Sequence, residues 1–197
     1  MNMTQIVTIA VLVIIGLWML GAYNRLVRAR NEIGNAFAQI DVQLKRRYDL
    51  IPNLVEVAKK YVQHERDTLE AVIAARNGAK SASDAARSKP ADSERIGALA
   101  AAESTLTGML GKLAVVVEAY PELKADSSLR DLHEELNHTE NRIAFSRQAF
   151  NDVVLDYNNA AQQVPTNVVA GLFGFKAAAM LEATQSEAER QVVKVAL

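Results

Sequence analysis

The sequence contains no cysteine, and only four prolines and nine glycines occur among its 197 residues. The lack of cysteine excludes disulfide bonds and thiolate metal ligands. Because proline and glycine interrupt helices, their scarcity favours a chain that is helical over most of its length. An excess of positive charge is also missing. The formal net charge is -1 at pH 7, which predicts no nucleic-acid partner.

Charged side chains are absent from residues 3–23, and this apolar stretch is the clearest signal in the chain. As a helix it is about 30 Å long and nearly spans a bilayer. A cleaved signal peptide is the alternative, but residues 1–5 carry no basic side chain and no good cleavage site follows. We therefore predict a transmembrane anchor over residues 1–23. Its apolar and interfacial side chains include Ile6, Ile9, Val13, Leu17, Trp18 and Tyr23.

Basic residues follow this apolar stretch directly. Arg25, Arg28 and Arg30 lie just beyond it, whereas the N-terminal flank has no lysine or arginine. Positively charged flanks stay in the cytoplasm. We expect a single-pass protein with its N-terminus outside and its body in the cytoplasm.

Apolar residues recur at helical spacing through the body. The clearest rows have heptad spacing: Leu99, Leu106, Leu113 and Tyr120 in one segment, and Leu129, Leu136, Ile143, Phe150, Tyr157 and Val164 in another. Residues 77–93 are rich in Gly, Ser, Ala and Pro and predict a loop. Only the closing VVKVAL alternates like a strand.

Pro52 lies inside a helical pattern, where a proline either kinks a helix or ends it. Reversal at Asp49, Pro52 and Asn53 would divide the body into four segments of similar length, whereas a continuous helix would leave half its apolar stripe uncovered. We favour reversal. The predicted fold is all-α, with an N-terminal transmembrane helix, an antiparallel up-and-down four-helix bundle over residues 24–164 and a short C-terminal amphipathic helix.

Several segments together resemble the bacterial LemA family: QIDVQLKRRYDLIPNLVEVAKKYVQHE, VIAARN, AYPEL, TENRIAFSRQAFNDVVLDYN and FGF. The pattern DVQLKRR-x-DLIPNLVE is specific. The resemblance implies a single-pass inner-membrane protein with an antiparallel helical bundle, and it supports reversal at Pro52. It implies no established catalytic activity. The family is associated with magnetosomes in one branch and with a neighbouring membrane metalloprotease.

A metal site is suggested only by HEELNH, residues 133–138. The zinc motif HExxH places its histidines four apart, on one helix face, whereas five positions separate His133 from His138. Glu135 and His138 match half of a di-iron site, but no second half exists in the sequence. We predict no metal, cofactor or catalytic residue, and do not expect an enzyme.

A polar strip runs along the last long helix. If Leu129 is heptad position a, His133, Glu140 and Arg147 fall at e, while Asn137, Asn151 and Asn158 fall at b. The strip either binds a partner or bonds to Arg46, Arg47 and Asn53 across the bundle to set the helix register. We favour the second interpretation.

The segment 165–197 is predicted to begin at the membrane-proximal end, because three chain reversals return the last long helix there. Its apolar cluster, Val168, Leu172, Phe173 and Phe175, is too large to leave in water. The cluster either packs onto the bundle or contacts lipid or a neighbouring subunit. We expect Arg25, Arg28, Lys80, Arg87 and Lys89 on the same face.

Two classes of function follow. The first is a membrane-anchored scaffold that contacts lipid, forms homo-oligomers and organises or shapes membrane. The second is an adaptor or partner of a membrane protease or a signalling protein.

Overall fold

The computed structural model describes residues 2–62 and 64–182, and every regular element in these ranges is a helix. The all-α prediction is confirmed. The helices are α1 (Met3–Lys59), α2 (Arg66–Ser88), α3 (Ser93–Ala119), α4 (Pro121–Ala125), α5 (Ser127–Gln162) and α6 (Thr166–Leu172). The predicted short C-terminal helix is α6. The proposed division at residue 23 falls inside α1, which continues through it without a break.

Four long helices build the body. α1 packs against α5 and α2, and α3 packs mainly against α2. At one end the Tyr61 hydroxyl bonds to Asp126, and at the other Leu26 shares a core cluster with Ala160, so α1 and α5 are antiparallel. The predicted heptad rows are buried, with the exceptions of Tyr120, which is half-buried, and Val164, which is 82% exposed. The rings of Phe37 and Phe150 meet edge to face in the core, with centroids 5.9 Å apart.

The chain does not reverse at Asp49, Pro52 and Asn53, so that prediction is wrong. α1 continues to Lys59, and the turn follows it. Proline lacks the N–H that would bond to the Tyr48 carbonyl one helical turn earlier. The Nε of Arg76 on α2 donates to that carbonyl oxygen at 2.8 Å. The orphaned acceptor is thus satisfied from a neighbouring helix, and the helix tolerates its proline.

The predicted loop over residues 77–93 is also wrong over most of its length. α2 runs to Ser88, and the turn occupies residues 89–92. Small side chains at Ala79, Ser83 and Ala86 are buried at helical spacing, and the Ser83 hydroxyl donates to Asp41 of α1 at 3.2 Å. Small residues let two helices approach closely, which favours helix over loop.

The number of reversals matches the prediction although two of their positions do not. Turns separate α1 from α2 and α2 from α3, and the third turn contains α4. α5 therefore runs back toward the point where α1 leaves its apolar stretch. This places α6 beside the end of the predicted anchor.

Candidate functional site

Within residues 2–62 and 64–182, two helices are long and apolar enough to cross a membrane by length and composition, α1 and α3. The most apolar part of α1 is more apolar than that of α3, and a smaller share of its residues is buried, 6% compared with 17% in α3. The predicted anchor residues Ile6, Ile9, Val13, Leu17 and Trp18 all expose apolar surface. α3 instead packs on α2 and carries Glu103 into the body. α1 is therefore the candidate span.

The segment after α5 forms a platform at the end of the apolar stretch. Val169 and Ala170 of α6 are buried against Ala22 and Leu26 of α1. Tyr23 stacks edge to face with Phe173 and Phe175, with ring centroids 4.9 and 5.7 Å apart. α6 thus fixes the position of the platform relative to the anchor.

The other face of α6 is uncovered. Val168 is 65% exposed, Leu172 is 67% exposed and Phe173 is 54% exposed, while Phe175 is half-buried. We call Tyr23, Val168, Leu172 and Phe173 the anchor platform. Packing onto the bundle is therefore seen for one face of the predicted cluster, and contact with lipid or a neighbouring subunit stays a prediction. One face packs on the body, and the other presents the kind of contiguous apolar surface that binds lipid or protein.

The basic residues expected on this face do not all lie there. Arg25 and Arg28 line a polar pocket of about 420 Å³ next to Asp156, near the platform. Arg87 lies 3.5 Å from Asp41, about 24 Å farther along α1 than Arg25. The prediction that Lys80, Arg87 and Lys89 share the anchor face is wrong, because α2 ends beside Gly34 of α1 rather than beside the anchor.

A charged network joins the four long helices in the middle of the body. The Arg47 side chain is 2% exposed and forms ion pairs with Glu103 of α3 and, at 2.5 Å, with Glu140 of α5. The Tyr48 hydroxyl is within hydrogen-bonding distance of Glu103 and of the Ala79 carbonyl. Burial raises the pKa of Tyr48 to about 12, and Arg47 opposes this rise. These contacts tie α1 to the three other long helices in one register.

The remaining charged members of the predicted strip lie around this network. Arg46 pairs with Glu135 at 3.0 Å on the surface. Arg147 is half-buried, and burial lowers its pKa while Glu140 raises it. His133 is exposed. The structure thus brings Arg46, Arg47 and Glu140 into interhelical ion pairs and leaves His133 outside them.

Asn151 and Asn158 bond to an extended segment instead of α1. We call residues 175–182 the strap. The Asn158 amide donates to the Ala178 carbonyl and accepts from its N–H, both at 2.9 Å. Asn151 makes the same pair of bonds to Leu181, at 3.3 and 2.8 Å. The expected contact of these asparagines with the Arg46–Arg47 region is therefore wrong, because they bond to the strap. Asn53 is exposed.

Sequence reasoning missed the strap because its partners are main-chain groups. A seven-residue step on a helix covers about 10.5 Å, close to three residues of extended chain. Asn151 and Asn158 therefore match Leu181 and Ala178 in spacing. An asparagine side chain carries both donor and acceptor, so it satisfies one extended residue completely. The repeated asparagine was visible in the sequence, but its partner was not.

A cleft lies between α3 and α5 at the end of the body farthest from the anchor. It has a volume of about 880 Å³. Its apolar walls are formed by Leu110, Leu113 and Val117 of α3 and by Leu129 and Leu136 of α5. Its rim carries both signs of charge, including Lys124, Arg130, Glu118, Glu134 and Glu140. We call this the α3–α5 cleft.

No set of three or more His, Asp or Glu side chains within residues 2–62 and 64–182 is placed to hold a metal ion. In the HEELNH segment, His138 lies 3.7 Å from Glu134 on the exposed side of α5. These histidines take part in no described cluster.

Comparison with known proteins gives a family. Residues 36–197 match the LemA family. The chain is 25% identical over 167 residues to Protein LemA of Metamycoplasma hominis. This match covers 85% of this chain and 72% of that protein. It is 25% identical over 169 residues to Magnetosome protein MamQ of Magnetospirillum gryphiswaldense, covering 78% and 62% respectively. Magnetosome protein MamQ 2 of Paramagnetospirillum magneticum is 33% identical over 81 residues, which is 41% of this chain and 30% of that protein.

Proposed function

Since the chain belongs to the LemA family, we propose that it is a membrane-anchored helical scaffold that self-assembles at the bacterial inner membrane. In this proposal α1 crosses the bilayer once, the N-terminus lies outside and the body lies in the cytoplasm. The apolar stretch of α1 and the family assignment fit a membrane protein. The basic flank after the stretch supports the orientation.

The anchor platform is the observation that carries this proposal. Leu172 and Phe173 expose apolar side chains beside Tyr23, the residue at which the apolar stretch ends. Aromatic and apolar side chains at this level favour the lipid headgroup region. A body held against the bilayer in a fixed orientation presents the same lateral surfaces to every neighbouring copy, and this geometry favours ordered assembly.

The relatives support a role in membrane organisation. Two of the proteins compared are named as magnetosome proteins. The chain spans 62% of one of these and 30% of the other, so their roles are not transferred whole. We transfer only the general idea of a protein that organises a membrane compartment.

Native mass measurement of the full-length protein in lipid nanodiscs tests the scaffold proposal. A closed homo-oligomer is the expected result. A monomer that co-purifies with one other protein would overturn it and favour the adaptor function, as a partner of a membrane protease or a signalling protein.

A second measurement tests the platform itself. We expect Leu172→Ser with Phe173→Ser to reduce the oligomeric mass several-fold while leaving the helix content unchanged. Phe145→Ser is the matched control, because Phe145 is 76% exposed on α5 and distant from the anchor. An unchanged mass in the double variant, or an equal loss in the control, would rule out the platform as the assembly surface.

A further inference from the structure

The α3–α5 cleft has apolar walls and leaves apolar side chains of α3 uncovered. α3 has apolar side chains around most of its circumference, and Val115 at the cleft is 72% exposed. α3 packs mainly on α2 and α5 packs mainly on α1, so a gap remains between α3 and α5. Helices that are apolar all round are usually buried. The cleft therefore has the character of an interior surface that needs an occupant.

The strap leads toward this cleft. The Tyr157 hydroxyl bonds to the Lys176 carbonyl, Asn158 bonds to Ala178, and Asn151 bonds to Leu181. The strap therefore runs along α5 toward the N-terminal half of that helix. The Ser93 hydroxyl also donates to the Ala177 carbonyl, at 3.1 Å, so the strap touches both α3 and α5. The same interhelical space continues to the cleft.

Residues 183–197 follow the strap, outside the described part of the chain. From Asn151, where the strap ends, the cleft residues Asn137 and Leu129 lie about 21 and 33 Å along α5. Val192 is eleven residues beyond Leu181. Eleven residues span about 16 Å as a helix and up to about 36 Å when extended. An extended C-terminal segment therefore reaches the far end of the cleft, and a helical one approaches its near end.

The chemistry of the C-terminus matches the cleft. Its last six residues, VVKVAL, supply three valines and a leucine for the apolar walls and one lysine for the acidic part of the rim. The family match extends to residue 197, so these residues belong to the same family unit as the body. We propose that residues 183–197 bind in the α3–α5 cleft of their own chain.

Binding within one chain follows from the strap. Six hydrogen bonds hold the strap on α5 and α3, and so hold the beginning of the C-terminal segment near its site. Such a tether raises the local concentration of the segment far above that of any free competitor.

Cysteine cross-linking in the full-length protein tests this proposal, because the chain has no native cysteine. Ala114 lines the cleft, whereas Ala85 is an exposed alanine on α2. We expect Ala114→Cys with Val193→Cys to form an intramolecular disulfide on oxidation. Ala85→Cys with Val193→Cys is the matched control and should stay reduced. Equal cross-linking in both pairs, or none in a folded Ala114 variant, would overturn the proposal.

Co-expression of two single-cysteine chains shows whether the segment in the cleft comes from the same chain or from a second copy. Chains carrying only Ala114→Cys and chains carrying only Val193→Cys are co-expressed with different tags. Mostly monomeric products support docking within one chain, whereas a dominant disulfide-linked dimer would show that a second copy supplies the segment and would overturn it.

A variant without new cysteines gives an independent readout. Val192→Ser with Val193→Ser and Val195→Ser should raise the binding of a hydrophobic fluorescent dye several-fold by uncovering the cleft. Gln185→Ser with Gln191→Ser is the control in the same segment and should leave dye binding unchanged. Unchanged dye binding in the valine variant would contradict the proposal.

Discussion

At the scale of single residues, α1 depends on Arg76 to replace the hydrogen-bond donor that Pro52 lacks. Pro52 removes one helical donor, and the guanidinium of Arg76 replaces it at the Tyr48 carbonyl. Arg76 also lies 3.8 Å from Asp49 and bonds to the side chain of Asn77. These contacts hold the guanidinium in place against α1. The unbroken course of the helix thus depends on a residue 24 positions away in the sequence.

We predict that Arg76→Ala lowers the free energy of unfolding by about 1–3 kcal/mol, because a part-buried carbonyl loses a charged donor. In a Pro52→Ala background the same change should cost at least about 0.5 kcal/mol less, since an alanine at this position supplies its own N–H. Urea unfolding of the four variants in detergent measures both values. Arg66→Ala is the control, because Arg66 is 83% exposed and its ion pair with Glu70 lies on the surface, where solvent screens it. If Arg76→Ala lowers the free energy of unfolding equally in both backgrounds, Arg76 does not compensate for the donor that Pro52 lacks.

The raised pKa of Tyr48 predicts that the protein loses stability at high pH. Its pKa is raised from 10.0 to about 12 in the folded protein, chiefly by burial. The folded state therefore holds this proton more tightly than the unfolded state. The resulting stabilisation is fully present below pH 10 and is lost as the pH rises to about 12. The loss amounts to at most about 2–3 kcal/mol.

Unfolding measured across this pH range should show a shallower decline for Tyr48→Phe than for the wild type. The decline should not vanish, because the pKa values of Tyr61 and Tyr157 are raised as well. Slopes are compared, since the substitution also removes the contact with Glu103 at neutral pH. Parallel slopes would show that the Tyr48 hydroxyl is accessible to water.

At the scale of elements, the strap is held mainly by side chains of α5. Ala178 and Leu181 of the strap are buried, and Asn151 and Asn158 bond its main chain. Gly174, with a φ of 70°, lets the chain leave α6 and turn onto α5. The strap therefore connects the anchor platform to the body and leads toward the α3–α5 cleft.

We predict that Asn151→Ala with Asn158→Ala increases the rate of trypsin cleavage after Lys176 about tenfold or more, because four hydrogen bonds to the strap are lost. Timed digestion followed by mass spectrometry measures the rate. Asn141→Ala on the exposed side of α5 is the matched control. If the control and the double variant are cut at the same rate, the asparagines do not hold the strap.

At the scale of the whole molecule, one helix joins the apolar stretch and the body without a break. α1 presents exposed apolar side chains up to residue 20 and buried ones from Leu26 onward. A continuous helix transmits the orientation of the anchor to the body. The platform at Tyr23 braces this joint from the side.

The predicted orientation is testable because any introduced cysteine is unique. A membrane-impermeant maleimide applied to intact spheroplasts should label Asn2→Cys and leave Ser104→Cys unmodified until the cells are lysed. Ser104 is exposed on α3, so only the membrane protects it. Labelling of Ser104→Cys in intact spheroplasts would reverse the orientation.

Several features were determined by the sequence itself because their signals are local. The apolar stretch, the heptad rows of α3 and α5, and the short helix after Pro165 each follow from the spacing of side chains along one segment. Asp92 caps α3 by accepting from the N–H groups of Glu94 and Arg95, another local interaction. The return of the C-terminal segment to the anchor end was predictable because an odd number of chain reversals brings the chain back to the end where it began.

Other features were decided by the tertiary structure, because the stabilising partner comes from a distant segment. The helix continues through Pro52 because Arg76 bonds to the Tyr48 carbonyl. The segment around Ala79 and Ser83 is helical because it packs closely against α1. The amide pair of Asn151 and Asn158 acquires its role only when the strap lies beside it. Periodicity records which face of a helix is apolar. It does not record which other segment satisfies a lone carbonyl or a buried amide, and three-dimensional proximity supplies that partner.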